Sequence, residues 1–121
     1  MRPLNVDRDY KKLFLLIADK MFTDQAIRNQ VDKIFEKLGG NFFEEGRVKL
    51  GILKLCQSDL KELEQFVDLA KWDWRELLIQ AEYPYSHKLH EKKDIKPEAY
   101  DKALQKEQNE YDLWIESVLK S

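Results

Sequence analysis

The two histidines of the chain lie close together, in the segment His87-Lys88-Leu89-His90-Glu91. With Glu91 they place three possible zinc ligands within about one helical turn. A closed structural zinc site needs four ligands and usually includes thiolates, and only Asp94 is near enough in sequence to be a fourth. We therefore expect solvated side chains at these positions, with no metal and no other cofactor.

The same segment is rich in lysine and follows two tyrosines. Basic side chains interleaved with aromatic ones can hold single-stranded nucleic acid through phosphate contacts and stacking. Acidic side chains interrupt this patch, and the whole chain has a formal net charge of −2. The sequence therefore disfavours nucleic-acid binding through residues 87–96, although it stays open as a hypothesis. The residues of this patch are Tyr83, Tyr85, Lys88, Lys92, Lys93 and Lys96.

The other reactive residue types also lack a catalytic setting. A nucleophilic cysteine needs an electropositive, partly open site and a base, and no histidine is near Cys56 in sequence. We predict that Cys56 is a small buried hydrophobic residue, and a single cysteine also excludes a disulfide framework. The carboxylate pairs fall on polar helix faces, which is typical of solvated side chains, so we assign no catalytic residue. These pairs are Glu44 with Glu45, Glu62 with Glu64 and Asp68, and Asp73 with Glu76.

The most distinctive local feature is a pair of tryptophans, Trp72 and Trp74, followed by Arg75. Residues two apart on a helix do not face the same way. We therefore expect one indole to fill the core at a corner between two helices, with the other exposed or covered by the last helix. Tryptophan, tyrosine and arginine are enriched at binding hot spots, so the alternative to a purely structural corner is a partner-binding surface. The candidate partner-binding residues are Trp72, Trp74, Arg75, Tyr83, Tyr85, Tyr111 and Trp114.

Helices must position these side chains, because apolar residues recur at spacings of three and four along most of the chain. Asp7 is the predicted N-cap of the first helix, and Thr23 or Asp24 starts the second, which Gly39-Gly40 ends. Phe42 and Phe43 are expected to tuck under the following connector as core plugs. The first two apolar stripes are Tyr10, Leu13, Phe14, Ile17 and Met21, and Ile27, Val31, Ile34, Phe35 and Leu38.

A third, short helix is predicted from about Glu44 to Cys56, and its apolar residues on several faces indicate a central, buried position. The alternation Val48-Lys49-Leu50 also fits a strand, so the sequence leaves residues 46–53 open between helix and partly extended chain. Ser58 is the predicted N-cap of the next helix, and Asp73 can cap another that Pro84 ends.

Residues 85–96 have no apolar period and predict a charged linker. Pro97 suits the first turn of a C-terminal helix over residues 97–119. Its middle, residues 105–110, is entirely polar, so we expect this helix to touch the body mainly at its two ends. Its apolar stripe consists of Tyr100, Leu104, Tyr111, Trp114, Ile115 and Val118.

The bulk properties fit one all-α domain spanning residues 1–121. The expected architecture is an irregular bundle of five to six short helices, with a long C-terminal helix packed across it. Residues 1–60 hold 11 basic and 9 acidic side chains and residues 61–121 hold 10 and 14. The C-terminal half is therefore the better docking surface for a basic partner. The apolar run from Leu13 to Ala18 is too short for a signal peptide or a membrane span, so the default expectation is a soluble cytoplasmic protein without membrane contact.

One stretch resembles a family. It reads Arg47-Val48-x-Leu50-x-Ile52-Leu53, then Phe66-Val67-x-x-Ala70-Lys71, then Asp73-Trp74-Arg75-x-Leu77-Leu78, and ends at Pro84. Residues 47–84 are similar to a group of small uncharacterised bacterial proteins with a helical core. The resemblance implies a helical fold and a bacterial source, and it carries no activity.

The sequence therefore favours a non-enzymatic protein–protein interaction module with an unidentified protein partner. One concrete version is a neutralising protein of the immunity or antitoxin type. The first alternative is a small ligand-binding or enzymatic domain, with a pocket lined by Trp72, Trp74, Tyr83 and Tyr85. The second is weak nucleic-acid binding through residues 87–96. A homodimer through the C-terminal helix is a further possibility for the assembly.

Overall fold

The computed structural model describes residues 8–39, 44–92 and 94–121, and within these ranges the chain forms helices and no strand. The prediction of an all-α fold with a long C-terminal helix is confirmed. Described in chain order, the helices are α1 (Tyr10–Met21), α2 (Gln25–Glu36), α3 (Glu45–Cys56), α4 (Leu60–Glu82), α5 (Pro84–His90) and α6 (Pro97–Lys120).

Aspartate side chains start the first two helices. Asp9 caps α1, since its Oδ1 accepts a hydrogen bond from the Lys12 backbone N–H at 3.1 Å. The predicted cap, Asp7, lies outside the described residues. Asp24 caps α2 through the Ile27 N–H at 3.1 Å, which confirms the predicted restart. Gly39 follows α2 with a φ of +78°, a conformation that glycine adopts without a Cβ penalty.

Helix α3 lies at the centre of the molecule, as its all-round apolar pattern predicted. It packs along α4 and against α1. The helical interpretation of residues 46–53 is confirmed, and the strand alternative is wrong. Gly51 allows the close approach of α4, because a Cβ built there would lie 3.0 Å from the Ala81 Cβ. Phe42 and Phe43 lie outside the described residues. The buried side chains of α3 are Arg47, Val48, Leu50, Ile52, Leu53 and Cys56.

The N-cap of α4 is Asp59 and not Ser58, so that prediction is wrong. Asp59 Oδ1 accepts hydrogen bonds from the backbone N–H groups of Lys61 at 2.8 Å and Glu62 at 3.1 Å. The physical reason is the turn after α3, in which Gln57 and Ser58 both have positive φ values, of 50° and 66°. Two left-handed residues delay the start of α4 and move the capping position to Asp59.

The predicted linker over residues 85–96 is wrong in its first half, because α5 occupies Pro84–His90. Pro84 ends α4 and also begins α5, where proline fits the first turn. Ser86 and Leu89 of α5 are buried. The residue before α5 provides no side-chain cap, and a carboxylate distant in sequence caps the helix instead. Glu107 of α6 accepts hydrogen bonds from the N–H groups of Tyr85 at 3.1 Å and Ser86 at 2.7 Å.

Helix α6 buries most of its predicted apolar stripe, with Tyr100, Leu104, Tyr111 and Ile115 inside. The expectation that its polar middle stays off the body is wrong at Glu107, which caps α5. Near its C-terminal end α6 runs beside α1 in the same direction. Arg8 forms an ion pair with Asp112, and Lys20 Nζ donates a hydrogen bond to the Ser121 backbone carbonyl at 3.1 Å.

Candidate functional site

Asp73 interrupts the helical backbone of α4 between the two tryptophans. Its φ of −155° and ψ of 83° are those of extended chain. Asp73 Oδ1 accepts a hydrogen bond from the Glu76 backbone N–H at 3.1 Å, which is the contact that an N-cap side chain makes. Helix α4 therefore consists of two segments joined at Asp73, and the predicted capping role of this residue is confirmed.

Trp72 lies directly before this break, and its side chain is 90% exposed. Among the described residues the indole has no ring, cation or hydrogen-bond partner. Burying a tryptophan removes roughly 150–250 Å² from water. At roughly 25 cal/mol per Å², that burial is worth about 4–6 kcal/mol. Because Trp72 is exposed, the folded chain does not gain this stabilisation.

Trp74 has a different environment from Trp72. Its indole is half-buried and packs against the main hydrophobic core. The guanidinium carbon of Arg75 lies 5.4 Å from the centre of the ring, within the range of a cation–π contact. The prediction that one indole packs inward is confirmed, and that indole is Trp74. The other was expected to be exposed or covered by the last helix, and Trp72 is exposed.

Three exposed side chains on α4 form a continuous ridge, here called the Trp72 ridge: Glu64, Asp68 and Trp72. Their spacing of four residues places each one beside the next on the helix surface. Neither Glu64 nor Asp68 has an ion pair or hydrogen bond with any other described residue. The ridge therefore combines two solvated carboxylates with one unburied aromatic ring.

Tyr83 and Tyr85 do not join Trp72 in one site. Tyr83 is buried against Tyr100 and Leu104, and burial, followed by the charge of Glu82, raises its pKa. Tyr85 is 58% exposed, on α5. The break at Asp73 and the second segment of α4 separate Trp72 from Tyr83. A ring that is 90% exposed also has no walls around it, so the predicted aromatic pocket does not form at Trp72.

Tyr111 is a core residue and not a surface residue, so it cannot contact a partner of the folded protein. Its ring is buried, with Arg8 and Lys54 at 5.0 and 5.5 Å from its centroid. Its hydroxyl has no hydrogen-bond partner among the described residues, and burial raises its pKa well above 10.0. Burial lowers the pKa of Lys54. Trp114 is half-buried and meets Tyr111 edge-on at 5.6 Å.

The sequence reasoning missed a buried ion pair between Arg47 of α3 and Glu82 of α4. Arg47 Nε donates to Glu82 Oε2 at 2.7 Å, and a second hydrogen bond joins the same two side chains. Burial alone would lower the pKa of Arg47, but the hydrogen bonds and charge of Glu82 outweigh it and raise the pKa. The sequence indicated this pair, because Arg47 lies among the apolar residues of α3 and a charged residue in such a position requires a buried partner.

The histidine and lysine segment remains a polar surface. His87 Nε2 lies 3.2 Å from Glu91 Oε1, and His90 packs 5.4 Å from the Tyr100 ring centre. Among the described residues, no group of three His, Cys, Asp or Glu side chains is arranged to hold a metal ion. Lys88, Lys92 and Lys96 are exposed. Lys93 lies outside the described residues.

Cys56 is buried, as predicted. Its Sγ donates a weak hydrogen bond to the Leu53 carbonyl at 3.4 Å. Burial raises the pKa of the thiol above its ordinary value, which keeps it protonated at neutral pH. The thiolate is the nucleophilic form of cysteine, so this environment does not activate Cys56.

Two surface grooves lie away from the tryptophans. One, of about 520 Å³, runs between the starts of α2 and α4, with Ile27 and Leu60 among its apolar residues. The carboxylates on its rim, Asp24 and Asp59, already cap those helices. The other, of about 420 Å³, lies beside Phe14 and Lys49. Neither groove contains any of the predicted partner-binding residues.

Comparison of the chain with family models, curated proteins and solved structures gives no match. The resemblance of residues 47–84 to small bacterial helical proteins therefore stays a prediction. Within the described residues, no helix has the length and apolar character required to cross a membrane.

Proposed function

We propose that this protein is a binding module that recognises another protein through the Trp72 ridge. The observation that carries the proposal is the 90% exposure of Trp72 on a helix that the core holds in place. Tryptophan is among the residues most enriched at binding hot spots. A rigid two-dihedral side chain also loses little conformational entropy when a partner covers it.

The surroundings of the other reactive residue types favour binding over catalysis. The Cys56 thiol is buried with a raised pKa. Glu62, Glu64, Asp68 and Asp73 are exposed, whereas general acid–base catalysis needs carboxylates in a shielded pocket. The ion pair of Arg47 with Glu82 joins two helices inside the protein and leaves neither group open to a substrate.

One concrete form of this proposal is a neutralising protein of the immunity or antitoxin type. Its acidic surface would cover the functional site of a basic partner. Small size, a helical fold and the net charge of −2 support this form. A cytoplasmic location and a bacterial source belong to the same proposal.

The test is affinity capture from the cells that produce the protein, using wild type and two variants. Trp72→Ala removes the exposed indole, and Leu113→Ala removes a large exposed side chain from α6 as a matched control. We expect wild type and Leu113→Ala to retain the same protein partner and Trp72→Ala to lose at least ten-fold of the recovered amount.

Two outcomes would contradict the proposal. One is equal recovery of the partner by Trp72→Ala and wild type, which would place the interface elsewhere. The other is the absence of any stoichiometric partner for the wild type. Circular dichroism of Trp72→Ala establishes that a loss of binding is not a loss of folding.

A further inference from the structure

We propose that the segment recognised by the Trp72 ridge is basic, with a lysine or arginine side chain placed on the Trp72 indole and paired with Asp68. This inference rests on the proposed function and specifies the chemistry of its partner. It concerns a protein segment and not a nucleic acid, because the carboxylates of Glu64 and Asp68 would repel the phosphates of a nucleic acid.

The geometry of the ridge suits a single long cationic side chain. Asp68 precedes Trp72 by four residues, so their Cβ atoms are roughly 6 Å apart on one face of α4. Both side chains are exposed. A guanidinium or ammonium group can therefore contact the face of the ring and the carboxylate together.

The charges along α4 agree with this choice. The segment Leu60–Glu82 carries six acidic and three basic side chains. Of the acidic ones, Glu82 is neutralised inside the protein by Arg47, while Glu64 and Asp68 have no ion pair with a described residue. Lys71 is turned by about 100° from Trp72 around the helix, so it flanks the ridge without covering the indole.

The folded chain already uses the proposed contact elsewhere. Arg75 lies 5.4 Å from the Trp74 ring, Arg8 lies 5.0 Å from the Tyr111 ring, and Lys49 lies 5.6 Å from the Phe14 ring. Trp72 has the ring type that binds cations best. Among the described residues, no cation covers it.

The probes are two alanine-based helical peptides of equal length, one with arginines four residues apart and the other with glutamates at the same positions. Nuclear magnetic resonance follows the indole N–H signal of Trp72, which is assigned by its disappearance in Trp72→Phe. We expect the arginine peptide to shift this signal in a saturable way and the glutamate peptide to leave it unchanged. Increasing salt should weaken the binding.

Variants separate the contribution of the carboxylate from that of the ring. Both variants are followed through backbone amide signals of α4, because Trp72→Ala has no indole. Asp68→Asn should weaken binding of the arginine peptide about three-fold, and Trp72→Ala about ten-fold. Asp101→Asn, an exposed carboxylate on α6, is the matched control and should have no effect.

Equal shifts with both peptides, or no shift with the arginine peptide, would overturn the inference of a basic segment. Such a result leaves the proposed function standing if capture from cells still depends on Trp72. If capture does not depend on Trp72, the proposed function fails first. The two failures are therefore distinguishable.

Discussion

Arg47 and Glu82 join α3 to the end of α4 through two hydrogen bonds inside the folded protein. Glu44 adds a third group to this cluster, with its Oε2 at 3.6 Å from Arg47 Nη1. Each charge of the central pair is acceptable in the interior only because the other is present. The pair is therefore a specific contact between α3 and the end of α4.

Replacement of one partner should destabilise the protein strongly. Arg47→Met leaves the Glu82 carboxylate buried without its counter-ion, and we expect a loss of about 3–5 kcal/mol in the free energy of unfolding. The double variant Arg47→Met/Glu82→Met should recover most of it, since an apolar pair is often as stable as a buried ion pair. Urea denaturation measures both. A single variant that costs under about 1 kcal/mol would contradict the burial of this pair.

The Tyr111 hydroxyl has no hydrogen-bond partner among the described residues, which predicts the effect of removing it at neutral pH. Tyr111→Phe removes a buried polar group that has no described partner, so we expect equal stability or a gain of about 1 kcal/mol. Tyr111→Ala, which leaves a cavity, should lose about 3–5 kcal/mol. A clear loss of stability in Tyr111→Phe would show that the hydroxyl has a partner in solution.

The same residue predicts a loss of stability in alkali. The pKa of Tyr111 in the folded state lies well above the ordinary value of 10.0, so the folded protein holds this proton more tightly than the unfolded chain. The stabilisation that follows from this raised pKa is complete below pH 10 and is lost as the pH rises above 10. Burial also raises the pKa values of Tyr83 and Tyr100. Urea titrations at several alkaline pH values should show a smaller decline for Tyr111→Phe than for wild type.

Glu107 should stabilise α5 from a distance. Glu107→Ala removes the acceptor of the Tyr85 and Ser86 N–H groups and of the Ser86 hydroxyl. We expect a loss of about 1–2 kcal/mol, as for other N-cap deletions. Hydrogen exchange should accelerate first in α5. Glu110→Ala, an exposed neighbour on α6, is the control, and an equal effect of the two substitutions would contradict the capping role.

The helical fold was predictable because most helices carry a complete local signal. The apolar stripes of α1, α2 and α6 recur at helical spacing, and the caps at Asp24 and Asp73 precede their helices directly. Asp59 was missed because Ser58 and Asp59 are both suitable N-cap residues, and only one of them can occupy the N-cap position of α4. The backbone decides between them, through the left-handed φ of Ser58.

The remaining errors involve partners that are distant in sequence. The short helix α5 has a weak apolar period, and the acceptor for its first N–H groups, Glu107, lies 22 residues after Tyr85 and 21 after Ser86. Arg47 and Glu82 are 35 residues apart, so neither predicts the other without the packing of α3 on α4. The spacing of Trp72 and Trp74 predicts that the two indoles point in different directions. Only the break at Asp73 decides which indole is exposed.

The two tryptophans should differ sharply when each is replaced by alanine. Trp72→Ala should change the free energy of unfolding by no more than about 0.5 kcal/mol, because a side chain that is 90% exposed has little packing to lose. Trp74→Ala should lose about 2 kcal/mol, since it removes a half-buried ring from the edge of the core together with its contact to Arg75. Urea denaturation of both variants provides the measurement. A large loss in Trp72→Ala would mean that the indole is buried in solution, and the Trp72 ridge could not then be a binding surface.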